Sequence, residues 1–298
     1  MAAEGDNDFM RYIYRGEEGE NIPREATHII VGEDVTFVRA RAFRGHTNIV
    51  DVICHENVKK IGESTFQACF SLRRVIMPGV KVVEQNAFFS CPALTDVECG
   101  MLEIIGHRAF QFGRSLRNIN LPSARIVGVY AFNYCINLTD AKFGSKLERI
   151  DGLVFVDCPS LEQITIPLKY DLITRDNIFQ GCIALKHVDL VEEAELHETI
   201  AALQLEQWRN DMNDEIDSIN KILPVARVGT LRDDGEKAQA IRTWVRSVLD
   251  KIIHYKGEHQ RILDVAKNTL RCDLPKDILT NNVLPFLSLP SYSFGGEI

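Results

Sequence analysis

Five cysteines, Cys69, Cys91, Cys135, Cys158 and Cys182, each stand three residues after a phenylalanine in a recurring string. Neighbouring thiols can oxidise to a disulfide or share a soft metal ion. If the strings stack as coils, equivalent residues come within about one strand spacing, ~4.8 Å, close enough for either. The row is interrupted by His46 and Gly113, and neither CxxC nor HxxxH spacing occurs. Free cysteine also serves as a small apolar residue in narrow corners of a core. Core packing is the expectation adopted. The chain opens on "MAAEGDNDFMRYIYRGEEGE", without the basic start and apolar run of a secretory leader, and a reducing compartment disfavours disulfides.

Other candidate chemistry is sparse. Asp51, Asp96 and Asp140 fall at one outward position of three repeats and could pair as carboxylates, but Arg74 and Asn118 interrupt them. A mixed polar face is the better reading. His254 and His259 are five apart around Gly257, the wrong spacing for two ligands on one helical face, and read as solvated. "GEEGE" and "FGGE" lack the strand and helix context of a phosphate-cradling loop, and no GxGxxG, GxxxxGK[ST] or GxSxG occurs. The expectation is a non-enzymatic chain with no catalytic, cofactor-binding or metal-ligating residues.

The elements that would position these residues repeat along the chain. Phe43, Phe66, Phe88, Phe110, Phe132, Phe155 and Phe179 recur at intervals of 22 to 24 residues. Such a period marks a solenoid, whose units bury their apolar faces only by stacking. Six residues after each phenylalanine stands an aliphatic, from Ile49 to Leu185. Nine and eleven after it stand pairs such as Val75 with Met77 and Ile164 with Ile166, two apart as on one face of a strand. A second short apolar pair follows a turn, as in Val58 with Ile61 or Leu147 with Ile150. Pro78, Pro122 and Pro167, or Gly100 and Gly144, end the first strand. The fold class expected is α/β: a solenoid of short strands in about seven repeats, followed by a C-terminal helical hairpin or cap.

Three segments result: an acidic flexible tail over 1–21, the solenoid over 22–191 and a helical domain over 192–298. In the last, apolar residues from Leu196 to Leu223 form one helical stripe of about 30 residues ending at Pro224. A second helix carries Ile241, Trp244, Val248 and Ile252 and continues or bends at Gly257. A third is expected from Pro275 to about Ser288. Nine acidic residues and only Arg209 lie between Glu192 and Asp217, whereas Arg242, Arg246, Lys251 and Lys256 lie on the second helix, which favours an antiparallel hairpin. That unit would cover the last repeat or, alternatively, mediate self-association.

The pattern read in Phe66–Leu121, "FQACFSLRRVIMP" through "IIGHRAF" to "RNINLP", resembles the BspA-type leucine-rich repeats. The resemblance covers about residues 22 to 191 and implies a curved array used for protein–protein contacts. Bacterial members of the family are often surface adhesins, a role resting on secretion. "LPKDILTNNVLPFLSL" resembles the opening helix of an F-box, which would imply a substrate receptor in a ubiquitin-ligase complex.

Residues seven, eight and ten after each phenylalanine should face outward and bind a protein partner. The candidates are Arg73, Arg74, Thr95, Asp96, Arg117, Asn118, Asp140, Gln163 and Lys186. A net charge of −8 argues against nucleic acid, which needs a dense basic face. No stretch approaches the ~20 apolar residues of a membrane span. The expected location is the cytoplasm or nucleus.

Overall fold

The computed structural model describes residues 10–191, 193–203, 205–227 and 235–273. Each repeat is a three-sided coil: a strand, a second two-residue strand, and a bend centred on the recurrent phenylalanine. The first side stacks β1 (Arg11–Tyr14), β2 (His28–Val31), β4 (Asp51–Ile53), β6 (Arg74–Ile76) and β8 (Asp96–Glu98) as a parallel sheet. A second sheet on that side follows, of β10 (Asn118–Leu121), β12 (Asp140–Phe143), β14 (Gln163–Ile166) and β15 (His187–Leu190). The second side stacks β3 (Phe37–Val38), β5 (Lys60–Ile61), β7 (Val82–Val83), β9 (Ile104–Ile105), β11 (Ile126–Val127) and β13 (Arg149–Ile150).

All seven phenylalanines are buried, and their rings form one column with centroids 5.0 to 5.8 Å apart and planes within 10° of parallel. Stacked rings bury the largest side chain of each coil against its two neighbours, so every coil completes the core of the next. The bend holds together without strand geometry. Residues two before and two after the phenylalanine have left-handed backbone, for example Asn86 (φ 55°) and Ser90 (φ 59°) around Phe88. This alternation aims three N–H groups per coil at the following coil: Asn86 to the His107 carbonyl, Phe88 to Ala109 and Ser90 to Gln111, at 2.8 to 2.9 Å. Where coils touch most closely glycine is required: a Cβ on Gly79 would stand 1.8 Å from the Glu56 carbonyl oxygen, and one on Gly144 2.0 Å from that of Pro122.

The acidic-tail expectation for 1–21 is corrected from residue 10 onward. β1 pairs in register with β2, from Arg11 against His28 to Tyr14 against Val31. Tyr14 is buried, with its ring 5.0 Å from Phe43 and tilted by 59°, closing the aromatic column. Its hydroxyl accepts the Arg39 N–H at 3.3 Å. The acidic turn is folded by Glu20, whose carboxylate accepts the N–H groups of Arg15 (2.9 Å) and Glu17 (3.2 Å) and the Tyr12 hydroxyl (2.9 Å). Pattern matching missed this unit because it lacks the phenylalanine and most of the bend.

The helical region departs in two places. The expected single stripe is two helices, α1 (Glu193–Ala201) and α2 (Glu206–Ile222), with Leu205 extended between them (φ −97°, ψ 127°). The apolar positions step by five between Leu203 and Trp208, so one straight helix could not bury both halves on one side. The next helix, α3 (Glu236–Asp273), is continuous through Gly257 over 38 residues, about 57 Å. His259 is buried and not solvated, because it continues the Val248, Ile252, Tyr255 side of α3. The helix expected over Pro275–Ser288 and the F-box-like string lie outside the described residues.

α2 and α3 pair antiparallel: Lys251 meets Asp211 (3.1 Å) and Glu215 (2.8 Å), and Trp208 stacks on Tyr255 at 5.3 Å. The unit covers the last coil. The Asn220 amide faces the edge strand β15, accepting the Val188 N–H at 3.0 Å and donating to the Val188 carbonyl at 3.5 Å. Buried Lys237 donates to the Leu185 carbonyl. Among the stripe residues offered for self-association, Met212, Ile216 and Ile219 are buried.

Candidate interaction face

The thiol row is built for packing. Each cysteine donates its Sγ proton to the carbonyl of the phenylalanine one coil earlier: Cys69 to Phe43, Cys91 to Phe66, Cys135 to Phe110, Cys158 to Phe132 and Cys182 to Phe155, at 3.0 to 3.4 Å. Burial pushes the Cys69, Cys135 and Cys182 thiols up to about 12, and those of Cys91 and Cys158 well above their ordinary value. A protonated, hydrogen-bonded thiol is neither nucleophile nor metal ligand. Among the described residues no group of three or more metal-donor side chains assembles.

The outward residues of the first side fall into two rows. One runs Arg11, His28, Asp51, Arg74, Asp96 by strand register, and after an interruption Asn118, Asp140, Gln163, His187. His28 reaches Asp51 at 2.9 Å, Thr95 donates to the Asp96 carboxylate at 2.8 Å, and Arg74 pairs with Glu98 at 3.1 Å. Arg74 and Asp96 are therefore register neighbours with different partners. The Thr139 hydroxyl donates to the Arg117 carbonyl at 2.9 Å, and Lys186 pairs with Glu162 at 2.8 Å.

The expected site splits in two, because no strand pairing joins β8 to β10. Arg74 and Asp96 lie on the first sheet, with Arg73 and Thr95 just before their strands; Asn118, Asp140 and Gln163 lie on the second, with Arg117 and Lys186 just before β10 and β15. The interruption coincides with the coil in which Gly113 replaces the cysteine. There the Arg114 N–H donates to the Phe112 carbonyl at 2.9 Å, as the Ile183 N–H does to the Gly181 carbonyl in the last coil, and Val97 is left half-buried.

The second row was missed in the sequence. Ile13, Ile30, Ile53 and Ile76 are aligned by the same register, and the first three are 54%, 36% and 44% exposed. The row then turns polar at Glu98, and across the break it continues as Asn120, Lys142, Thr165 and Asp189. The signal was present: Ile53 and Ile76 stand ten residues after Phe43 and Phe66, a position read as outward without regard to which residue types filled it.

Stacked parallel coils of this length, with short strands on two sides and a phenylalanine spine, define a leucine-rich-repeat solenoid. The sequence profile of the BspA-type leucine-rich repeat region matches residues 23–125 and 103–202 in six copies, and the chain belongs to that family. None of the curated protein sequences matches it. Among solved structures it is similar to a leucine-rich repeat protein of T. pallidum (20% identity, 55% of this chain and 70% of that one, TM-score 0.40). It is also similar to a leucine-rich cell surface protein of Faecalibacterium prausnitzii, of which it spans about half (24% identity, 63% and 52%, TM-score 0.48). A third, from Bacteroides ovatus, shares 18% identity over 63% and 70% of the two chains, with TM-score 0.30. No helix among the described residues is long and apolar enough to cross a membrane.

Proposed function

We propose that the chain is a non-enzymatic interaction scaffold whose N-terminal strand face binds a protein partner. The observation that carries this reading is the row of Ile13, Ile30 and Ile53 held in water by strand register, with half-buried Ile76 continuing it. Branched aliphatic side chains on neighbouring strands form a rigid apolar strip, and a flanking row of His28, Asp51, Arg74 and Asp96 supplies the polar rim of a protein interface. The partner it fits presents aliphatic side chains along its centre and opposite charges at the edges. The face holds few of the large aromatic anchors of tight complexes, so its affinity is moderate. The same reading places the protein in the cytoplasm or nucleus, supported by the buried cysteines being thiols; surface biotinylation of intact cells checks that part.

A photo-crosslinking amino acid at Ile53 should capture one discrete partner in the native cell, and the same group at Lys81, on the second side, should not. Equal capture from both positions would remove the reading. With the partner in hand, Ile53→Glu should weaken binding at least tenfold at an unchanged melting temperature.

A further inference from the structure

The thiol row runs out at the first bend, and a different chemistry takes its place. His46 occupies the cysteine position there, and no earlier coil supplies a phenylalanine carbonyl for it to reach. Its Nδ1 is inaccessible to solvent and has no hydrogen-bond partner. The bend opens onto a cavity of about 380 Å3 lined by Arg24, Arg44, Gly45, His46, Thr47 and Asn48. Neither guanidinium at the cavity wall has a carboxylate partner among the described residues. The Thr47 hydroxyl and N–H are also unengaged, whereas the Asn48 amide donates to the Arg24 carbonyl at 3.0 Å, tying the two walls together. Burial, and then the Arg24 charge, hold His46 below the usual imidazole range, as expected of a ring facing cations without a counter-charge.

We propose that this cavity is a binding site for a phosphate monoester, with Arg24 and Arg44 taking the charge, Thr47 donating to a remaining oxygen and His46 forming part of the wall. Two guanidiniums suit a doubly charged tetrahedral group, since each can offer paired N–H donors to two of its oxygens. The volume exceeds what phosphate alone needs, a single water taking roughly 30 Å3 of liquid, so an organic substituent fits behind the phosphate. Gly45, with φ +74° and nothing within 4 Å of its would-be Cβ, leaves the entrance open.

Calorimetric titration of the full chain with inorganic phosphate and with phenyl phosphate tests the site. Saturable one-to-one binding is expected, tighter for phenyl phosphate, with the His46 ring proton resonances moving in step. Saturation by inorganic phosphate with no gain for phenyl phosphate would assign the cavity to the free ion and overturn the monoester. Arg24→Gln and Arg44→Gln should each weaken binding roughly tenfold, as loss of a charged hydrogen bond does. Both side chains are exposed, so an unchanged thermal melt verifies that the variants fold. No saturation by either probe, or binding indifferent to both substitutions, would overturn the proposal. The site shares no residue with the isoleucine row, so partner capture through Ile53 succeeds or fails independently.

Discussion

The two ends of the solenoid solve one problem in opposite ways. A terminal coil exposes both an apolar face and a ladder of unsatisfied backbone groups. At the C-terminal end helices cover both: α3 packs on the turn Asp176–Phe179, and Asn220 and Lys237 supply the polar groups a further coil would have offered. At the N-terminal end the cover is an abbreviated coil. β1 extends the sheet and Tyr14 closes the aromatic column, but the bend has nothing before it and opens into the cationic cavity. The lesson is that covering apolar surface and satisfying the backbone are separable tasks, and an end that completes only the first is left with chemistry to spare.

The sharpest way to break this comparison is to remove a ring beneath each end. Phe43→Ala and Phe179→Ala should each cost ~3–5 kcal/mol, because both rings are fully packed. Hydrogen exchange should then show fraying confined to β1–β4 in the first variant and loss of protection in α2 and α3 in the second; uniform loss throughout would mean the coils are not nearest-neighbour units. A smaller effect isolates the backbone task. Asn220→Leu keeps the volume but orphans both Val188 groups, and should cost about 1–3 kcal/mol in urea melts. Tyr14→Phe strands only the Arg39 N–H, with a cost of about 1 kcal/mol, so the C-terminal substitution should be the more damaging.

The smallest effect concerns the hairpin charges. The hydrogen bonds from Tyr255 and Lys251 hold the Asp211 carboxyl below its ordinary range. A depressed folded value means that the stabilisation is fully present above the unfolded value, about 3.9, and is lost as pH falls through the folded one. Lys251→Met should therefore shift stability by under about 1 kcal/mol at neutral pH, as exposed pairs do, and flatten the loss seen below pH ~4. An unaltered acid limb would exclude Asp211 from the effect.

The middle of the solenoid was legible because one residue type, Phe, recurs where every coil needs the same volume, and the cysteine, leucine and valine positions follow from it. Both ends were less so, since a cap is by nature a departure from the repeat. Tyr14 substitutes for the missing ring from a strand and not from a bend, so no period points to it. The outward positions follow from the repeat, whereas the break in strand pairing between Arg73, Arg74, Thr95 and Asp96 on one side and Asn118, Asp140 and Gln163 on the other has no period to announce it. The isoleucines were passed over because the outward position was read as a polar face and the residue types filling it were not compared from coil to coil.

The left-handed residues flanking the phenylalanines bear on how far this chain could be improved. Among the described residues eleven such positions are occupied by side chains other than glycine, including Tyr130, Tyr134, Phe112 and Leu153. Each bulky occupant tolerates a conformation that costs roughly 1–2 kcal/mol for an ordinary L-residue and much less for asparagine. Natural variation or deliberate engineering thus has a ready reserve of thermal tolerance at the corners, reachable one coil at a time and without touching the strand face.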